Sequence, residues 1–196
     1  DQFACNGALS ACAAGQSWDH GLVLLRAMDS MGLQRDIITA NAAISACAKG
    51  RHWMQAVEAL GRLDSEGARL DAVTFGALID SAEKSHQWQS AMQLGDDVWQ
   101  HGVQGTTVLC NTLMSACEKG HEWQLSASLL GDMRAKDVPR SIITFNSAVS
   151  ACEKGQRWDH AAALLAKIRR EGPVPEAIAF SAAASACGRS SRWELA

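Results

Sequence analysis

Seven cysteines and six histidines have the widest chemistry open to them in this 196-residue chain, and their spacing closes most of it. Cys12, Cys47, Cys117, Cys152 and Cys187 occupy one position of a unit that recurs every 35 residues. Equivalent helices in a stack lie roughly 8–10 Å apart, beyond the ~7 Å Cα separation that a disulfide can span, so these read as reduced, buried, small thiols. His20, His52, His86, His101, His121 and His160 fall mostly in turns. None has the i, i+4 or Cys-x-x-Cys partner of a zinc centre, so they read as solvated and no metal is expected. The chain also lacks a Gly-x-Ser-x-Gly elbow, a phosphate-binding Gly-x-x-x-x-Gly-Lys loop, and the His-x-Glu with Pro-Cys-x-x-Cys pair of a zinc deaminase. Neither catalysis nor a cofactor nor a small-molecule substrate is expected.

Two columns of side chains remain. Asn6, Asn41, Asn111 and Asn146 recur in register, each with an amide that donates and accepts hydrogen bonds; a capping or surface amide is the plainer explanation. Lys49, Lys84, Lys119 and Lys154, joined by Arg189, form a row of point charges at one-repeat spacing. With a net charge of −3 the chain has no long-range pull on phosphate, but such a row could still track a backbone. Its plainer role is to offset helix dipoles.

The elements that position these columns follow from self-similarity. Trp18, Trp53, Trp88, Trp123, Trp158 and Trp193 are each 35 residues apart. In the clearest copy, Phe145, Ala148, Val149 and Cys152 make an i, i+3, i+4, i+7 stripe on a helix that ends at Gly155, whose freedom at positive φ suits a left-handed cap. Trp158, Ala161, Leu164, Leu165 and Ile168 make a second stripe, closed by Gly172. Each copy is therefore a helix, a turn and a helix, and the chain is an all-α solenoid with repeats at 2–36, 37–71, 72–106, 107–141 and 142–176 and a partial one at 177–196. No apolar run reaches the roughly 18 residues of a membrane span. The chain opens at Asp1 without Met and stops inside an expected helix, so both ends read as cuts in something longer, with any targeting segment outside it.

The words inside the repeat carry a resemblance. Thr39-Ala40-Asn41-Ala42-Ala43-Ile44, Leu109-Cys110-Asn111-Thr112-Leu113-Met114 and Thr144-Phe145-Asn146-Ser147-Ala148-Val149 resemble the "TYNTLI" opening of the pentatricopeptide repeat, of P-type at 35 residues. Trp53-Met54-Gln55-Ala56 and Met28-Asp29-Ser30-Met31-Gly32-Leu33 resemble its second helix and its end, although Trp stands where that family usually has Leu. The resemblance implies a right-handed superhelix whose first helices line a groove for single-stranded RNA, two side chains of each repeat meeting one base. Here the implied base-reading residues are Asn6 with Asp36, Asn41 with Asp71, Asn111 with Ser141, and Asn146 with Glu176, while Gly76 with Thr106 makes a spacer and Ser181 opens a sixth pair.

Such pairs can discriminate. An ionised Asp only accepts, so it suits the imino N–H of uracil or guanine, whereas a Ser hydroxyl can donate to the bare ring nitrogen of cytosine or adenine. With Asn implying a pyrimidine, the expected target is U-U-n-C/U-Y, with a purine suggested at the sixth base. The resemblance further implies that Phe3, Ile38, Val73, Val108, Ile143 and Ile178 sandwich the bases, that Lys49, Lys84, Lys119 and Lys154 meet phosphate, and that the protein acts in RNA processing in a chloroplast or mitochondrion. Trp is expected in inter-repeat packing, its indole N–H on a carbonyl, rather than as a stacking platform. The rival function is a protein- or peptide-binding scaffold, favoured by the acidic third repeat, where Lys84 is set among Asp80, Glu83, Asp96 and Asp97.

Overall fold

Each repeat folds as the two-helix hairpin that its apolar spacing requires. The computed structural model describes residues 2–15, 17–30, 37–49, 52–65, 71–171 and 177–189. Among the described residues the helices are α1 (Gln2–Gly15), α2 (Trp18–Ser30), α3 (Ile37–Lys49), α4 (Trp53–Ser65), α5 (Ala72–Lys84), α6 (Trp88–Gln100), α7 (Thr107–Gly120), α8 (Trp123–Ala135), α9 (Ile142–Lys154), α10 (Trp158–Glu171) and α11 (Ala177–Arg189). There are no strands among them.

The chain divides into two compact units, Asp1–Gln104 and Gly105–Ala196. In the first, α1, α3 and α5 pack side by side, and α2 and α4 each lie against their own first helix and the next one. The second unit repeats the arrangement with α7, α9 and α11 in the row and α8 and α10 behind it. A second helix thus bridges two first helices, which is the nearest-neighbour packing that holds a repeat array together.

The stripes are the core. Phe75, Leu78, Ile79 and Ala82 are buried on α5, as are Phe145, Ala148, Val149 and Cys152 on α9. The Cys column is buried at Cys47, Cys117, Cys152 and Cys187 and half-buried at Cys12. Burial pushes the thiols of Cys47 and Cys152 up to about 11 and that of Cys117 to about 12, so they behave as small apolar groups. On α10 the stripe is shallower than its spacing implies: Ala161 and Ile168 are buried, but Trp158, Leu164 and Leu165 only half so, whereas Leu129 and Leu130 are buried at the same step of α8.

The turn after α9 corrects the expectation for Gly155. Its φ is −76°, and the left-handed residue is Gln156 at 56°, as His121 and His86 are one and two repeats earlier. The Arg157 amide then closes the turn on the Cys152 carbonyl at 2.9 Å. Glycine is needed at 155 for space: a Cβ there would lie 2.8 Å from Trp123 Cδ1. Gly172 lies outside the described residues.

Candidate functional site

The last residue of the repeat has a local task that sequence reasoning missed. Asp71 accepts from the Thr74 amide at 2.8 Å, Thr106 from the Leu109 amide at 3.2 Å, and Ser141 from the Thr144 amide at 3.3 Å, so this column is the N-cap of the following first helix. The signal was present in its residue types, since Asp, Ser and Thr are preferred caps. Capping therefore belongs to this column and not to the Asn column, which sits inside the first helices. Asp36 and Glu176 lie outside the described residues.

Capping leaves each side chain with something to spare. Asp71 Oδ1 takes the Thr74 amide and lies 2.8 Å from the Thr74 hydroxyl, while Oδ2 remains for another donor. Burial pushes its carboxyl up, but the Thr74 amide and hydroxyl, the Val73 amide and the Asn41 side chain together hold it below its ordinary value, so it stays an ionised acceptor. Ser141 Oγ accepts from the Thr144 amide and, at 3.3 Å, from Asn111 Nδ2, which leaves its hydrogen for Thr144 Oγ1 or for an outside acceptor. The two caps therefore differ in polarity, one accepting and one donating.

The asparagines are tied to the next repeat by threonines that no sequence argument singled out. Thr39 Oγ1 donates to Asn6 Oδ1 at 2.5 Å and Thr144 Oγ1 to Asn111 Oδ1 at 2.5 Å, while the Thr74 hydroxyl meets Asn41 Oδ1 in the same way. Asn146 differs: its Oδ1 is buried without a partner, and Ala179 stands in the threonine column. Ser181 uses its hydroxyl on the Ile178 carbonyl at 3.0 Å.

Three residues before Asn6, Gly76, Asn111, Asn146 and Ser181, on the same helix face, the structure exposes an apolar column. Phe3 is 87% exposed, Val73 67%, Val108 75%, Ile143 59% and Ile178 60%, five of the eight exposed large hydrophobics among the described residues. Apolar side chains left in water at one position of the repeat are the kind of surface a partner can cover. The side chain of Ile38 lies outside the described residues.

The cation row is more occupied than its spacing implied. Lys154 Nζ donates to Glu118 at 2.9 Å, and the same carboxylate oxygen accepts from Ser150 at 3.0 Å. One repeat on, Glu153 accepts from Ser185 at 2.6 Å and lies 3.5 Å from Arg189. Lys84 instead takes Asp80 of its own helix, at 2.6 Å. Each of these three cations sits beside a carboxylate. The Lys49 side chain lies outside the described residues, and Lys119 is exposed.

Trp53, Trp88, Trp123 and Trp158 are half-buried rather than core. Trp123 is covered by the next repeat, which lays on it Gly155, the Arg157 guanidinium 4.2 Å from its ring, and the His160 ring 4.1 Å away, with Asp159 holding Arg157 from the side. This is inter-repeat packing through a cation–π contact. His160 is accordingly a packing residue and not a solvated one. Among the described residues no group of His, Cys, Asp and Glu could hold a metal ion, and no helix is long and apolar enough to cross a membrane.

Comparison with known proteins places these features. The PPR repeat model matches residues 108–138 and 143–173. No curated protein matches the chain by sequence. The crystal structure of the pentatricopeptide repeat protein PPR10 from maize is similar over 97% of this chain, with a TM-score of 0.69 and 25% identity. The PPR domain of Arabidopsis thaliana protein-only RNase P 1, solved in complex with tRNA, covers 97% of this chain and 96% of that one at a TM-score of 0.74 and 11% identity. Nuclear proteinaceous RNase P 2 from A. thaliana matches 99% of this chain and 42% of its own at a TM-score of 0.81 and 10% identity, a likeness of fold alone. The chain spans about a quarter of PPR10, at 27%.

Proposed function

From the premise that this is a chain of pentatricopeptide repeats, we propose that it binds single-stranded RNA along its first helices, one base to a repeat. The observation that carries the reading is the exposed apolar position of the first helices, Phe3, Val73, Val108, Ile143 and Ile178, which stands three residues before Asn6, Asn111 and Asn146 and before Gly76 and Ser181 in the same column. Apolar side chains at one position of the repeat suit the faces of unstacked bases, and the amide and cap beside them in the repeats that carry both offer hydrogen bonds to a base edge. The acceptor at Asp71 fits the imino N–H of uracil, and the hydroxyl hydrogen of Ser141, turned from Thr144 Oγ1 to the base, fits the ring nitrogen of cytosine. Two of the solved structures similar in fold hold RNA, an 18-nt psaJ element in PPR10 and a tRNA in RNase P 1. We further propose, on the family likeness, a role in organellar RNA metabolism.

Selection from a pool of short RNAs randomised at every position tests this reading. The expected enrichment is U-U-n-C/U-Y, with the N-terminal repeat at the 5′ end. Changing Asp71 to Asn replaces an acceptor by a group that can donate, so the base at that repeat should move from U towards C by about five- to a hundredfold. A pool that emerges unenriched would reject the reading. One observation favours the protein-binding alternative, namely the pairing of Lys84, Lys154 and Arg189 with carboxylates, which leaves those three little free charge for phosphate. Binding that survives only at low salt and without base preference would support that alternative.

A further inference from the structure

An amide placed beside a base reads nothing until one of its ends is fixed towards it, because its oxygen accepts and its nitrogen donates in nearly the same shape. Three of the four asparagines have that choice made for them. Thr144 is fully buried and accepts the Ser141 amide at 3.1 Å, so its own hydrogen goes to Asn111 Oδ1; Asn111 Nδ2 then gives one hydrogen to Ser141 Oγ. With the oxygen and one N–H engaged, a single N–H is left to face outward. Thr39 on Asn6 repeats the oxygen half of this arrangement, while the one hydroxyl hydrogen of Thr74 is shared between Asn41 Oδ1 and Asp71 Oδ1; both threonines are buried, at 0% and 1% exposure. Their hydroxyls have no water to turn to, so the tie persists.

Asn146 has the amide without the tie. Ala179 supplies no hydroxyl, and Asn146 Oδ1 is left buried and unpartnered. Such an acceptor costs about 1–3 kcal/mol, which the side chain relieves by turning its oxygen towards any donor that approaches. Repeat 3 shows the correlation from the other side, with Gly76 in the amide column and Leu109 in the threonine column.

We propose that Thr39, Thr74 and Thr144 are positioning residues that set the asparagine amides to donate, and that Ala179 leaves Asn146 free to turn, so repeat 5 accepts bases that repeat 4 rejects. A fixed N–H suits the carbonyl oxygen that uracil and cytosine share beside the imino position. An amide able to turn can also present its oxygen to the exocyclic amine of adenine. The inference rests on the RNA reading proposed above and names what decides its stringency.

Thr144→Val and Ala179→Thr test it as a reciprocal pair, since valine keeps the shape of threonine and loses only the hydroxyl. The RNA-free measurement is hydrogen exchange of the side-chain amides, followed by NMR. The Asn111 amide should exchange faster in Thr144→Val, and the Asn146 amide slower in Ala179→Thr. In selection from the randomised pool, pyrimidine preference opposite repeat 4 should fall about fivefold in the first variant and preference opposite repeat 5 should rise by a similar factor in the second, the size of one ordinary hydrogen bond. A wild type that discriminates at both repeats, with both variants leaving the exchange rates and the selected motif unchanged, would overturn the threonine role and leave RNA reading intact. Exchange rates that move as expected in a protein with no base preference anywhere would overturn the RNA reading, and the inference with it.

Discussion

Helices α5 and α9 begin alike and differ on the face that carries the chemistry. Each starts from a capping side chain, Asp71 or Ser141, and then buries a threonine and a phenylalanine, Thr74 with Phe75 and Thr144 with Phe145. One residue later they part. Asn146 stands where α5 has Gly76, and nothing lies within 4 Å of the place a Cβ on Gly76 would take, so neither φ nor crowding asks for glycine there. Further along, Asp80 replaces Ser150 and Ser81 replaces Ala151. The cation at the end survives in both, but Lys154 draws its carboxylate from Glu118 of the preceding repeat and Lys84 from Asp80 of its own helix, Ala48 occupying the position that Glu118 holds one repeat pair later. A repeat can thus lose its face and keep its frame, because frame and face use different positions of the same helix.

That comparison can be broken most forcefully at the frame. Phe75→Ala and Phe145→Ala should each cost about 3–5 kcal/mol in urea unfolding, because both rings are buried at the same step of the same stripe. A cost at Phe145 less than half that at Phe75 would mean that the two frames are not equivalent.

The turn sharpens it next. Gly155→Ala should cost about 1–3 kcal/mol by driving a methyl into Trp123, whereas Ser85, its counterpart after α5, already carries a Cβ. In a double-mutant cycle with Trp123→Leu, that cost should shrink by at least about half, since the clash has lost its partner. Additive costs would place the strain elsewhere.

Smaller still is the effect of Ser81, whose Oγ is buried without a partner where α9 has Ala151. Ser81→Ala should raise stability by about 1 kcal/mol and Ala151→Ser lower it by a similar amount, both measured by thermal melting. A destabilising Ser81→Ala would show that the hydroxyl has a role.

The caps differ least, and only in acid. Asp71 has its carboxyl held below the ordinary 3.8, so its contribution is fully present above that value and fades as the pH falls through the lowered one. Ser141 does not titrate. The stability gap between wild type and Asp71→Ser should therefore close as the pH is taken below about 4, while Ser141→Ala should show the same cost at every pH. A gap that widens in acid would reverse the assigned direction.

How much of this was legible varies by residue. The buried quartet Phe145, Ala148, Val149 and Cys152 follows from spacing alone, because a helix brings i, i+3, i+4 and i+7 to one side whatever its surroundings. The exposed Val73, Val108 and Ile143 could not be told from core residues by type, since aliphatic side chains are usually inside, and only the family likeness set them apart. The caps at Asp71 and Ser141 are legible in their residue types, although the family likeness gives the same positions a base-reading role.

The sequence by itself determined the period, the two helices of each repeat and the stripe each one buries, since these depend on interactions within a few residues. Only the tertiary structure decided what happens between repeats. Thr144 reaches Asn111 across 33 residues, Lys154 reaches Glu118 across 36, and Gly155 meets Trp123 in the preceding repeat. Those partners share no local spacing rule. A hydroxyl, an ammonium or a missing Cβ gains its meaning from whatever the packing of neighbouring helices brings within a few ångströms of it.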